Sequence, residues 1–353
     1  MLTRDEYLQI PLAERFVKLN PEDSQRSEAL FERLVTVDLH THLFGSIHFS
    51  FDYELVSQSG ITGCFEAVPT LSEDFDESMA LLGKYKAIVA AHEGLVSATR
   101  AEEIRQAKRE GKQALLYQLE PITIRRQLER IDEAYGLGVR MMLLTFNSRN
   151  FLGDGCTERT DSGLSYLGIE VVERLNELGI LIDLSHCGIQ TSLDAIRLSK
   201  DPVLFNHTGA RALNPGHHRL KTDEQLRAIA DKGGLIGISA VPNQLSDRPE
   251  QGIEDMLNHI DYAVRLIGVD HVAIGLDNIF GDQVGHHREM AASKSVDFRR
   301  STMHLAANFM YGIESPLEWK NIIRGLVSRG YSDEEIAKIV GENALRVIEE
   351  VAG

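Results

Sequence analysis

Cysteine is scarce in this sequence. Cys64, Cys156 and Cys187 are the only three in 353 residues, they stand far apart, and no C-x-x-C pair occurs. An odd count without that spacing reads as reduced thiols in the cytoplasm. Long apolar runs are missing too: none approaches the roughly 18 residues of a membrane span. Residues 1–20 carry mixed charges at helical spacing, without the apolar core or small-residue cleavage site of a signal peptide. Basic charge is in deficit, with 37 Lys and Arg against 53 Asp and Glu and a net charge of −16. That balance argues against a nucleic-acid partner and reads as an acidic, soluble surface.

What is present is an ordinary globular profile, 43% hydrophobic and 25% charged, long enough for one large barrel or two medium domains. Residues 1–35 read as a polar helical lead-in, punctuated by Pro11 and Pro21. Strands are then predicted at 36–39, 61–68, 113–119, 139–145, 180–184, 203–205, 234–239 and 271–276. A loop with Gly45, His48, Phe49, Phe51 and Tyr53 follows the first, and 93–97 is an ambiguous run. Between the strands the apolar spacing is helical, at 74–90, 101–109, 122–135, 164–178, 191–198, 223–231 and 253–267. Ser332 or Asp333 is a plausible cap for a late helix. Two stretches break the rhythm. Residues 147–162 form a long polar loop, of the kind that is usually functional. Residues 281–287 read as a mobile Gly/His segment before a helical remainder. No compositional seam divides the chain, so residues 36–353 are expected to form one (β/α)8 TIM-type barrel. A doubly wound open sheet is the alternative, but no Gly-rich phosphate loop follows the first strand.

The chemistry collects at the ends of these strands. His40 and His42 end the first, and residues two apart on a strand share a face. Glu120 ends the third strand, His186 the fifth, His207 the sixth and Asp277 the eighth. Each is the first ionisable residue after an apolar run. In a barrel all such ends meet at one mouth, where active sites lie. Alone, each has a structural explanation: a hydrogen-bonded histidine, a capping carboxylate. Together, at one phase of the repeat, they predict a metal centre of His40, His42, Glu120, His186 and His207. Imidazole and carboxylate ligands suit Zn²⁺, and Mn²⁺, Fe²⁺ or Co²⁺ fit the same set. Glu120 has two oxygens and could bridge two ions, with His40 and His42 on one and His186 and His207 on the other. Water between the ions would be acidified into a nucleophile, and Asp277 could carry its proton to the leaving group.

These residues and their surroundings resemble the membrane dipeptidase (renal dipeptidase) family of the amidohydrolase superfamily. The likeness runs through Gly138-Val139-Arg140, Leu181-Ile182-Asp183-Leu184-Ser185-His186, and Asn206-His207 with Ala210-Arg211-Ala212-Leu213. It continues through His259-Ile260-Asp261-Tyr262, Asp270-His271-Val272 up to Asp277, and Gly341-Glu342-Asn343. The resemblance implies a di-zinc barrel that hydrolyses dipeptides. In it Glu120 bridges, His186 and His207 hold the second ion, Asp277 is catalytic and Arg219 grips the substrate carboxylate. Read from the residues alone, Arg219 could equally be an ordinary loop arginine. The chain departs from the family twice. His42 stands where an aspartate is usual. Phe146 stands where the family has a histidine that donates to the developing oxyanion. Losing one such donor typically costs around 3 kcal/mol in the barrier, so either Asn147 or Arg149 replaces it or the substrate is not an ordinary dipeptide. Phe146 and Asn147 therefore join Arg219 as candidate substrate contacts. Cys187, His217, His218, His286 and His287 read as packing or loop residues near the mouth.

The leading expectation is a metal-dependent hydrolase of a dipeptide or similar small amide, without nucleic-acid or membrane partners. The resemblance alone implies a homo-oligomer. A divergent branch that opens cyclic amides or lactones, deaminates or decarboxylates is the second reading. A non-catalytic binding protein on the same scaffold is the third.

Overall fold

All eight predicted strands form: Val37–Thr41 (β1), Gly63–Pro69 (β2), Gln113–Glu120 (β3), Val139–Leu143 (β4), Leu181–Asp183 (β5), Leu204–Thr208 (β6), Leu235–Ile238 (β7) and Val272–Ile274 (β8). This computed structural model describes residues 2–46, 49–69, 74–292 and 306–353. His48 of the aromatic loop, and residues 293–305 of the expected helical remainder, lie outside the described residues. The strands are buried along nearly their whole length, as expected for a parallel sheet covered by helices. They pair in parallel in chain order from β1 to β8. The ambiguous run at 93–97 supplies a short strand, Leu95–Ser97, on the edge of β3.

β8 returns to β1. The Asp277 amide donates to the His40 carbonyl at 3.0 Å, and the Leu276 amide donates to Asp38 Oδ1 at 3.0 Å. The other Asp38 oxygen accepts from Trp319 Nε1 at 3.1 Å. The molecule is a nearly closed (β/α)8 barrel. Gly275 matters to the closure, because a Cβ there would collide with the Asn206 carbonyl oxygen.

The barrel interior is layered. Leu116, Met141, Leu181, Leu204, Leu235 and Ala273 form an apolar plug with Leu345 and Ile348 of the C-terminal helix Asn343–Ala352. Two residues further along their strands, on the same face, stand Gln118, Asp183 and Asn206. These three hydrogen-bond across strands that are not neighbours, so they form a polar floor inside the barrel. The mouth lies above it.

Some boundaries differ from expectation. Only Glu129–Gly136 of the expected helix at 122–135 is helical. Ile122 instead donates its amide to Leu143 at 2.8 Å, and Ile122 and Ile124 are buried. The segment 281–287 opens a helix, Gln283–Ala292, rather than a loop. Asp282 starts it, with Oδ1 accepting from the Gly285 amide at 2.9 Å and its carbonyl from the His286 amide at 2.9 Å. Ser332 does cap its helix, in a reciprocal box with Glu335. Among the described residues no helix is long and apolar enough to cross a membrane.

The N-terminal helix Arg4–Leu8 docks on the residues after 306. Tyr7 Oη donates to Glu318 Oε1 at 2.6 Å, and Arg4 meets Glu314 at 2.5 Å. Arg4 also donates to the Gly281 carbonyl at 2.6 Å.

Asp38→Ala should lower unfolding stability by on the order of 3 kcal/mol or more, since it strands three buried donors, the His40 and Leu276 amides and the Trp319 indole. Urea denaturation checks this, and a midpoint equal to wild type would refute the clasp. Burial raises the Glu314 carboxyl to about 7, against the Met310 amide and Arg4, which lower it. Its folded pKa thus exceeds the roughly 4.3 of a free glutamate. Its contribution is fully present below about pH 4.3 and is lost as pH rises through about 7. Urea midpoints should therefore fall less between pH 5 and pH 8 in Glu314→Gln than in wild type.

Candidate metal centre

The mouth gathers residues from five strand ends. His40 lies on β1 and His42 just past it. Glu120 ends β3, His186 follows β5, His207 lies on β6 and Asp277 follows β8. Asp277 holds a positive φ of 54°, sparsely populated for a residue with a side chain and common where function constrains the backbone. The ring nitrogens converge. His40 Nε2 is 3.3 Å from His42 Nε2, and His186 Nε2 is 3.0 Å from His207 Nε2. Glu120 lies between the pairs. Its Oε2 is 3.2 Å from His40 Nε2, while Oε1 is 3.4 Å from His186 Nε2 and 3.7 Å from His207 Nε2. Asp277 Oδ1 is 3.3 Å from His42 Nε2, and Oδ2 is 3.8 Å from His207 Nε2. Two groups have ligand atoms all within 4.8 Å of one another: His40, His42 and Asp277, and His40, Glu120 and His207.

The floor and the long loop aim the rings. His40 Nδ1 faces Gln118 Oε1 at 3.2 Å, His207 Nδ1 faces Asn206 Oδ1 at 2.5 Å, and His186 Nδ1 faces Asn147 Oδ1 at 2.8 Å. An amide oxygen only accepts, so each Nδ1 is the ring atom placed to donate, and each Nε2 is turned toward the centre. The amides are themselves fixed. Asn206 Nδ2 donates to Gln118 Oε1 at 2.7 Å, and Gln118 Nε2 to Asp183 Oδ2 at 3.1 Å. Asn147 belongs to the 147–162 loop, which stays irregular but pinned. Cys156 donates its amide to the His186 carbonyl at 2.8 Å, Ser162 to Asp154 at 2.7 Å, and Asp161 accepts from the Gln190 amide at 2.5 Å.

The charges suit a cation. Burial would raise the Glu120 carboxyl, but His40 and His186 hold it well below the usual range. Burial likewise opposes ionisation of Asp277, and His42 with His40 outweighs it. Burial and Arg219 push His186 down to about 3, and burial with His40 and Arg219 pushes His207 well below its ordinary value. Both rings are neutral and both carboxylates ionised, the forms that bind metals. Burial would also lower His40, but Glu120, Asp277 and Asp183 raise it to about 10. Without a metal, a proton there partly balances the carboxylates; a dication would do so more fully.

The neighbouring candidates have clear placements. Arg219 is buried and donates to the carbonyls of Ser185 and of His207, the latter at 2.7 Å. Phe146 stacks on the His186 ring, with centroids 3.9 Å apart. Asn147 stands behind His186, where its oxygen supports the ring. Arg149 reaches away into its own loop, to Asp154 and Thr160. Sequence reasoning missed the floor, although a signal existed: Asp38 and Gln118 lie two residues before His40 and Glu120, on the same strand faces. It also missed Lys221, buried behind the His186 turn. Its Nζ donates to the carbonyls of Leu184 at 3.1 Å and Cys187 at 3.0 Å, and burial with Arg219 pushes its pKa down to about 7.

A barrel with four histidines and two carboxylates at its mouth defines an amidohydrolase-type architecture. The family model for membrane dipeptidase (peptidase family M19) matches residues 24–289 and 280–353, and the chain belongs to that family. A dipeptidase, tcpJ, from Claviceps purpurea (strain 20.1) is 30% identical over 218 residues, 61% of this chain and 45% of that relative. The match thus spans less than half of that relative's length. Among solved structures, an amidohydrolase from Pseudomonas aeruginosa is 27% identical with a TM-score of 0.81, covering 93% of this chain and 99% of that one. The probable dipeptidase PvdM from the same organism shares the fold at 22% identity and a TM-score of 0.79, covering 94% and 99%.

Asn147→Ala frees the His186 ring to rotate. Metal affinity should fall about 10–100-fold, the usual effect of losing such a support, with little change in melting temperature. Competition with a chromogenic chelator checks this.

Proposed function

We propose that this protein is a metal-dependent hydrolase that cleaves the amide bond of a dipeptide or a closely similar small amide. The observation that carries the reading is the convergence of four imidazole Nε2 atoms on Glu120 and Asp277, in a chain of the membrane dipeptidase family. His40 and His42 would hold one ion, His186 and His207 a second, and Glu120 would bridge them. Two Zn²⁺ suit this donor set best, and Mn²⁺, Fe²⁺ or Co²⁺ are accommodated by it. When bound, such ions polarise a carbonyl and acidify water.

The chain's own residues do the rest. Asp277, kept ionised by His42 and His40, accepts the proton of the attacking water and delivers it to the leaving nitrogen. Arg219 sets a fixed positive charge behind His186 and His207, which favours a substrate bearing a carboxylate. Phe146 walls off one side of the His186 ring from water. Asn147 acts through His186 rather than on substrate. The three free thiols, two of them buried, accord with a reducing cytoplasm, and the family suggests a homo-oligomer, which light scattering checks.

Phe146 also favours a second reading, since a phenyl ring cannot hydrogen-bond a carbonyl oxygen. In it the substrate is a non-peptide: a cyclic amide, a lactone, or the substrate of a deaminase or decarboxylase.

Elemental analysis with a dipeptide panel separates the two. Stoichiometric metal with turnover supports the first; full metal without turnover on any dipeptide supports the second. Glu120→Ala should lose bound metal and activity together. Asp277→Asn should lower kcat at least about 10²-fold, the usual scale for a lost proton carrier. Glu120→Ala with full metal and full turnover would overturn the mechanism.

A further inference from the structure

The helix Gln283–Ala292 brings a residue to the mouth that the centre described above does not use. Gln283 Nε2 donates to the Asp277 carbonyl oxygen, which fastens the first turn to the end of the barrel. Gln283 and Val284 are both buried. His287 lies four residues after the first and three after the second, hence on the same helix face. Asp277 and His42 are close enough for their charges to act on its ring. His287 Nδ1 is closed to solvent, yet it meets no hydrogen-bond partner among the described residues. A buried polar atom left in that state carries an uncompensated desolvation cost, which a ligand's polar atom would recover. His217 also has an unpartnered Nδ1, but the charges that reach it are Arg219, His218 and Arg211. It faces the cationic back of the centre, not the carboxylates.

The other side chains around the centre already serve it. The Asn147 oxygen supports His186, the Arg219 bonds run to the Ser185 and His207 carbonyls, and Phe146 has no donor. We propose that His287 donates a hydrogen bond to the carbonyl oxygen of the amide under attack. This rests on the hydrolase reading above. Asp277 must lie beside the reacting carbon to move the proton, and His287 shares the neighbourhood of Asp277. The ring therefore addresses the scissile carbonyl rather than a distant substrate terminus. Burial pushes its pKa down to about 4, so at neutral pH the ring is uncharged and carries one N–H.

The test uses the Zn²⁺-loaded full chain and three variants, His287→Ala, His287→Phe and His287→Asn. All three should keep wild-type metal content and melting temperature. Ala and Phe should lower kcat on a dipeptide by about 10²-fold, the scale of one lost oxyanion donor, with KM changed less than about threefold. Asn, which keeps an N–H, should recover at least about tenfold of that loss. A phosphinate that mimics the tetrahedral intermediate should bind more weakly to Ala and Phe in proportion to kcat/KM. Variants within twofold of wild type, or an effect confined to KM, would overturn the role of His287 and leave the hydrolase reading intact. A wild-type protein that neither cleaves dipeptides nor binds the phosphinate would overturn that reading and this proposal together.

Discussion

A neutral imidazole has one N–H, and the atom that carries it decides whether the ring can ligate a metal. In this barrel the decision is made three times by an amide oxygen. Gln118, Asn206 and Asn147 each face the Nδ1 of a different histidine and leave its Nε2 toward the centre. Gln118 and Asn206 are tied to one another, and Gln118 to Asp183, so the rings of His40 and His207 share one support. Those two rings also stack, with centroids 3.8 Å apart. A shift at Gln118 or Asn206 would be felt at both His40 and His207. That network requires a nearly closed barrel, because Gln118 and Asn206 reach each other only across its interior.

Closure in turn depends on Asp38. It is wholly buried, and burial raises its carboxyl to about 6. Three donors offset that cost: the amides of His40 and Leu276 and the Trp319 indole. The same residue thus joins the first and last strands and fixes the backbone of His40. Behind the centre, Arg219 and Lys221 bind carbonyls of the turn that carries His186, and Arg219 also binds the carbonyl of His207 on β6. Burial, with the charge of Arg219, keeps those rings neutral. The carboxylates Glu120 and Asp277 lie in front. The centre is polarised, with the Arg219 guanidinium behind it and the two carboxylates in front.

Two substitutions set this chain apart from the usual family pattern, and geometry gives each a physical sense. His42 puts an imidazole where the family resemblance implies an aspartate, and its ring meets Asp277 at 3.3 Å. Phe146 trades a donor for a flat apolar surface laid on His186. The chain keeps the architecture while altering charge and hydrogen bonding where a substrate would sit.

Much of this was legible in one dimension. Apolar runs of strand length ended by a single ionisable residue identify the barrel and place His40, Glu120, His186, His207 and Asp277 at one rim, because strand ends in a parallel barrel must share a side. The period of two even held a trace of Asp38 and Gln118. Other features were not legible, since they depend on which distant segments meet. That the Asn147 oxygen meets the His186 ring follows from the path of an irregular loop with no periodicity to read. That a helix starts at Gln283 was hidden by glycine and histidine, and it took Asp282 as a cap and the Asp277 carbonyl as an anchor to secure it. Local spacing encodes which way a side chain leaves its own strand. Which atom it then meets across the barrel is decided only when the sheet closes.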